Sequence, residues 1–195
     1  PMRLLLVLLC LASPLGGQST RPRLEGRVPA ASIPAVDSLV TLATAEGLPT
    51  EPLIQKAIEG GAKHVSAQRI VGAVAIEIEQ LRQAQALLVR AGDAPPVTAL
   101  EVTSVASALK RGIASPMVER IVAALPDQPR GPAFHALADL LVHRFNPDSS
   151  VALIIAAVGQ GVRGPRLLDV SGAAIQELQR GRTHAEALAR VRARL

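Results

Sequence analysis

The sequence predicts an all-α fold: an irregular array of about eight or nine helices in helix–turn–helix repeats, built as an α-solenoid-like stack or a compact helical bundle. Three observations predict it. A turn phrase recurs, reading Gly47-Leu48-Pro49-Thr50-Glu51-Pro52-Leu53, then Gly112-Ile113-Ala114-Ser115-Pro116-Met117-Val118. Phe145-Asn146-Pro147-Asp148-Ser149-Ser150-Val151 is a poorer copy. Between the phrases, apolar residues return every three or four positions, the period of a helix with one buried face. Proline and glycine fall where helices begin and end.

The chain opens on a different kind of segment. Met2 is the expected start, Arg3 supplies a positive charge, and Leu4 to Leu11 is an unbroken apolar run. Small residues follow through Gly17, which completes the layout of a secretory signal peptide over residues 1–17. A cut after Ala12 or after Gly17 satisfies the pattern equally. The run is far shorter than the roughly 20 residues that span a bilayer. Cys10 raises the question of lipidation, but Leu9 before it is larger than a lipoprotein signal favours. Residues 18–34, with Gly, Pro, Ser and Arg, read as a flexible linker, and 35–195 as one helical domain.

Within the domain, Leu39, Leu42 and Ala43 lead to Gly47, and Leu53, Ala57 and Ile58 follow it. Ile70, Val74, Ile78, Leu81 and Leu88 trace a longer stripe. Leu100, Val105 and Leu109 precede Gly112; Val118, Ile121, Val122 and Leu125 follow. Phe134, Leu137, Leu141 and Phe145 make a further stripe, and Leu167, Leu168, Ile175 and Leu178 the next. Pro52, Pro96, Pro116, Pro132 and Pro165 suit first helical turns, where a missing N–H costs nothing. Thr50, Ser66 and Ser115 are candidate caps, and Thr183 with Glu186 a capping box. Gly47, Gly112 and Gly181 suit helix ends. The repeat units fall at about 38–60, 99–125 and 135–158, with second turns at His64-Val65-Ser66 and Gly161-Val162-Arg163.

Composition excludes several functions. The chain has two Phe, no Trp and no Tyr, so aromatic platforms for sugars or single-stranded nucleic acid are hard to build. No specific nucleic-acid partner is expected. The net charge is +5, and apart from Lys56, Lys63 and Lys110 every basic side chain is Arg. Arg180, Arg182, Arg190, Arg192 and Arg194 crowd the C-terminus, where they offer a contact to an anionic polymer or a membrane surface.

Three motifs hint at chemistry. Gly159-Gln160-Gly161-Val162-Arg163-Gly164 has the order of a dinucleotide-binding turn. No parallel strand follows it, and it matches the turn phrase, so it reads as another helix corner and no cofactor is expected. His135, Asp139 and His143 are spaced by four, so on a helix they share a face and could begin a metal site. The plainer reading is a polar stripe beside a core stripe. Glu77, Glu79, Glu101 and Glu119 form no acid–base pair and are expected to be solvated. Glu46, Lys56, Glu59 and Lys63 either line a groove or pair along helix surfaces.

The sequence therefore points to a non-enzymatic secreted or periplasmic helical-repeat protein with an interaction or structural role and a protein or envelope partner. Two alternatives stand beside it: a metal-dependent enzyme or metal-binding protein on the His135, Asp139 and His143 face, and a binder of anionic envelope polymer or membrane surface through the C-terminal arginines.

Overall fold

The recurring turn phrase is one backbone device. In the computed structural model, which describes residues 20–92, 97–126 and 129–195, it closes six helices: α2 (Ile33–Ala45), α3 (Glu51–Ala62), α5 (Ala99–Lys110), α7 (Gly131–Val142), α8 (Pro147–Gly159) and α9 (Arg166–Gln179). Two residues past each end the chain turns left-handed, at Gly47, His64, Gly112, Arg144, Gly161 and Gly181, with φ between 54° and 87°. The next N–H then reaches back to a carbonyl inside the helix. Leu48 donates to Ala43 at 2.9 Å, Ile113 to Ala108 at 3.1 Å and Phe145 to Leu140 at 3.1 Å. Val65, Val162 and Arg182 do the same to Gly60, Ala157 and Glu177. This is the Schellman arrangement, which satisfies carbonyls that a helix end otherwise leaves open.

The corner also sets the spacing of the core. Five residues beyond each of those donors lies a buried position in the following helix: Leu53, Ile70, Val118, Ser150, Leu167 and Ala187. The donor ends one helix and the buried residue anchors the next, which reverses the chain over a short connection.

Helix starts follow the sequence in part. Pro52, Pro116, Pro132 and Pro147 sit in first turns, whereas Pro165 stands one place earlier, at the cap of α9. Thr183 and Glu186 form the expected capping box on α10 (His184–Arg192). Thr50 and Ser66 occupy cap positions without a side-chain cap bond, and Ser115 lies inside α6 (Ser115–Ala124) with Ala114 at the cap. Thr98 and Asn146 cap instead, accepting from the N–H of Glu101 at 3.3 Å and of Ser149 at 3.0 Å. The signal peptide over 1–17, Cys10 and Pro96 lie outside the described residues.

The linker expected over 18–34 is folded from Thr20 onward. Arg21–Leu24 form a short helix, α1, and Ala30–Ser32 a 3-10 turn. Leu24 is fully buried and Val28 nearly so. These two apolar residues stand four apart in a polar stretch and cover the ends of α2 and α3. The flanking charges are engaged: Arg23 makes a two-pronged contact with Glu51 at 2.7 and 2.8 Å, and Arg21 lies 3.5 Å from Asp37.

α4 (Ala67–Arg90) is the longest of the described helices and packs on α2, α3, α5 and α6. After it the chain builds three helix pairs in two layers. α5, α7 and α9 touch in succession along one layer, and α6, α8 and α10 along the other. That is the packing of a helical solenoid, in which each pair buries its apolar face against its neighbours. Among the described residues there is no strand. The core between the layers is Ala, Val, Leu and Ile, with Phe134 and Phe145 each 2% exposed.

Candidate functional site

His135 and Asp139 lie exposed on α7, and His143 follows as its C-cap, where its N–H still donates to the Asp139 carbonyl at 3.2 Å. Each histidine has another partner. His143 Nδ1 lies 2.8 Å from the backbone oxygen of Asp139, and His135 Nδ1 lies 3.4 Å from the guanidinium of Arg111, a cation that opposes metal binding. His184 sits edge-on to Phe145, with ring centroids 4.9 Å apart, and its Nε2 meets the His143 carbonyl at 2.9 Å. Among the described residues no three His, Cys, Asp or Glu side chains come together as a metal site. His135, Asp139 and His143 are thus not drawn around a common point, and the two imidazoles are engaged with different groups.

The glycine-rich Gly159 to Gly164 segment joins α8 to α9 as a helix corner. The residues before it are helical, and the Arg163 guanidinium fills the turn by donating to the carbonyls of Val158 and Val162.

Carboxylates expected to be solvated prove to be buried and paired. Glu77 is 5% exposed and accepts from Lys110. Glu101 is 8% exposed, and Arg130, at 4%, meets it from across α5 and α7. The Arg130 N–H donates to Glu101 at 2.8 Å, while its guanidinium donates to the carbonyls of Leu125 and Pro126. Nothing in the local sequence signals either burial, because the partners come from other helices. Glu79 and Glu119 are paired at the surface, with Arg82 and Arg90. Lys56 and Lys63 both bind Glu59 along the outside of α3, and Glu46 holds Arg82 across to α4. These are ordinary surface pairs.

Three of the five C-terminal arginines converge on one buried acid. Arg180, Arg190 and Arg194 lie 2.8, 3.6 and 3.1 Å from Glu177, whose side chain is 3% exposed. Burial pushes the Glu177 carboxyl up, but Arg194 and Arg180 outweigh it and hold the pKa below the ordinary value. Arg182 and Arg192 lie exposed beside them.

These environments bear on chemistry. General acid–base catalysis near neutral pH needs a group tuned towards 7. Here Asp37, Glu46, Glu51, Glu59, Glu177 and Glu186 are all moved the other way. Neighbouring hydroxyl, amide or cationic groups hold them ionised. Among the described residues, the surface carries several open clefts. One of about 420 Å³ lies where Arg27, Val28 and Pro29 meet His64 and Val65. One of about 300 Å³ lies between α9 and α10. One of about 260 Å³ lies over Glu77 and Lys110. No described helix is long and apolar enough to cross a membrane.

The described chain is a helical domain without a catalytic or metal-binding constellation. Compared with family models, curated proteins and solved structures, it matches none.

Proposed function

We propose that the chain is a non-enzymatic helical-repeat protein, exported through its residues 1–17, that presents one face of its stacked helices to a protein or envelope partner. The observation that carries this reading is the two-sidedness of α7, the middle helix of its layer. Ala133, Phe134, Ala136, Leu137, Ala138 and Leu140 are buried, while His135, Asp139 and Val142 stand exposed. Val142 is 71% exposed, an apolar side chain beside two polar ones at the centre of the α5, α7 and α9 layer. Stacked repeats use such extended faces for binding.

A photo-activated cross-linking residue at Val142 or Asp139, introduced in the native cell, tests the face; the same residue at Ala123 on the other layer is the control. Adducts at 142 or 139 and none at 123 support the reading. Equal adducts on both layers would remove it. N-terminal sequencing tests the export: a chain beginning after residue 12 or 17 supports it, and an intact start in the cytoplasm counts against it.

One observation favours a second reading, contact with an anionic polymer or membrane surface. Arg180, Arg190 and Arg194 remain 62%, 51% and 54% exposed although they share Glu177, so the end of the chain keeps more cations than its acid neutralises. Retention on anionic vesicles that falls with salt, and falls further in Arg182→Gln/Arg192→Gln, is the expected result. Unchanged retention in that variant removes the reading.

A further inference from the structure

One face of α4 stays open although α3 and α5 both pack on that helix. Ala73, Ile76, Glu77 and Gln80 recur at three and four, so they share this face. They line the cleft of about 260 Å³, and Lys56 of α3 and Lys110 of α5 complete it. All six residues lie on helices.

The cleft holds a buried acid with an oxygen to spare. Glu77 is 5% exposed. Its Oε1 accepts from Lys110, and its Oε2 accepts from no group among the described residues. No fully buried side-chain oxygen or nitrogen among those residues lacks a partner. The residual exposure of Glu77 therefore includes Oε2, and the cleft is the opening it lines. Gln80 adds a carboxamide, which both donates and accepts.

The cations are of one kind. Lys56, Lys63 and Lys110 are the only lysines among 21 basic residues, and two of them line this cleft. An ammonium sends three donors in different directions, where a guanidinium presents a flat fork. Lys110 can thus hold Glu77 and keep N–H groups for a ligand. Lys56 shares Glu59 with Lys63, at 3.2 and 2.5 Å. Lys63 is the nearer cation, which leaves Lys56 free to turn to the cleft.

These groups define an occupant. The two ammonium groups suit an anion, the spare carboxylate oxygen suits a cationic donor, and Ala73 and the 61% exposed Ile76 offer apolar surface. A plain anion would face the Glu77 oxygen, and a plain cation would face two lysines. The volume lies below the roughly 300–1,000 Å³ of sites for drug-sized ligands, so the occupant is small.

We propose that this cleft binds a free α-amino acid with an aliphatic side chain. Its carboxylate accepts from Lys56 and Lys110, its ammonium donates to Glu77 Oε2 and Gln80 Oε1, and its side chain covers Ile76 and Ala73. The inference does not rest on the face assigned to α7.

Isothermal titration calorimetry of the purified protein with L-leucine is the test. One molecule is expected to bind per chain, with amide shifts at Ala73, Ile76 and Gln80 in a parallel NMR titration. L-leucinamide lacks the carboxylate, and 4-methylpentanoate lacks the ammonium. Each is expected to bind about tenfold more weakly or worse, the effect of losing a charge-assisted hydrogen bond. Lys56→Gln and Glu77→Gln are expected to weaken leucine binding by a similar factor. Lys63→Gln removes the other cation on Glu59 without touching the cleft and is expected to bind as wild type. Lys56 and Lys63 are 38% and 67% exposed, so neither substitution disturbs the core. Should Glu77→Gln fail to fold, the comparison of leucine with 4-methylpentanoate reads the same contact. The proposal is overturned if leucine, isoleucine and valine all fail to bind at millimolar concentration. It is equally overturned if either analogue binds as well as leucine, or if Lys56→Gln leaves the affinity unchanged.

Discussion

The backbone N–H of Arg130 donates to the Glu101 carboxylate at 2.8 Å, and the two side chains lie buried between α5 and α7. Glu101 follows Thr98 by three, the same spacing that joins Thr183 to Glu186. Glu186 turns back to its own cap and completes the box. Glu101 turns away, towards the connector that ends in Arg130. The same local pattern thus serves two purposes, and a distant arginine decides which. The pair fixes where the second helix pair of the stack begins.

Removing one partner leaves the other charged and buried. Glu101→Ala is expected to cost about 3–5 kcal/mol of unfolding free energy, the range for breaking a buried ion pair. Urea unfolding followed by circular dichroism reads the shift in midpoint. The double variant Glu101→Leu/Arg130→Met is expected to recover much of the loss, because no unpaired charge remains. A single variant that unfolds at the wild-type midpoint would show that the pair is not holding the connector.

The corners give a second prediction. His64 and Arg144 occupy the left-handed position that glycine takes at Gly47, Gly112, Gly161 and Gly181. A side chain there costs roughly 1–2 kcal/mol in steric strain. His64→Gly and Arg144→Gly are each expected to stabilise the fold, by about 0.5–1 kcal/mol after glycine's greater unfolded freedom is set against the relief. Gly112→Ala, at φ 86°, is expected to act in the opposite sense. Thermal unfolding of the three variants checks the order.

These corners explain how much of the fold was legible. Gly47 and Gly112 announced helix ends because left-handed backbone favours glycine, and the spacing to Leu53 and Val118 announced the next helix. The corners at His64 and Arg144 were legible from the turn phrase alone, because neither residue marks left-handed backbone as glycine does. The site was less legible for a different reason. Glu101 meets a partner 29 residues away and Glu77 one 33 away, and no local period reports such a meeting. The C-terminal arginines looked like a solvent-facing cluster, because nothing local marks Glu177 as buried. The folded stretch from Thr20 escaped notice because Leu24 and Val28 alone carry its apolar signal.

That N-terminal segment rests on one close approach, which gives the third prediction. A Cβ on Gly61 would lie 1.9 Å from the backbone oxygen of Arg27, a contact no relaxation of a flexible side chain relieves. Gly61→Ala is expected to lift the segment around Arg27 and Val28 away from α3 while the later helix pairs stay folded. Limited proteolysis reads this directly. Faster tryptic cleavage at Arg23 and Arg27 is expected, with the fragment from α4 onward persisting. Unchanged cleavage would mean that the backbone shifts without releasing the segment.

The same segment carries the fourth prediction, on acid. Arg23 holds the Glu51 carboxyl down to about 2 from its ordinary 4.5, with Gln55 adding to the effect. Asp37 is lowered too, chiefly by the Thr20 hydroxyl. A carboxyl with a lower pKa in the folded chain binds fewer protons there than in the unfolded one. Its contribution is therefore complete above pH 4.5 and is lost as pH falls towards about 2. Glu51 and Arg23 are half exposed, so the contribution is modest and screened by salt. The consequence is local: α1 should loosen in acid before the stacked pairs do. Hydrogen exchange at the Val28 N–H, which donates to Leu24 at 3.1 Å, is expected to quicken across this window relative to amides of α7. Glu51→Gln should already exchange faster above pH 4.5 and show a shallower change below it. Parallel acid responses at Val28 and in α7 would mean that the segment and the stack unfold as one unit.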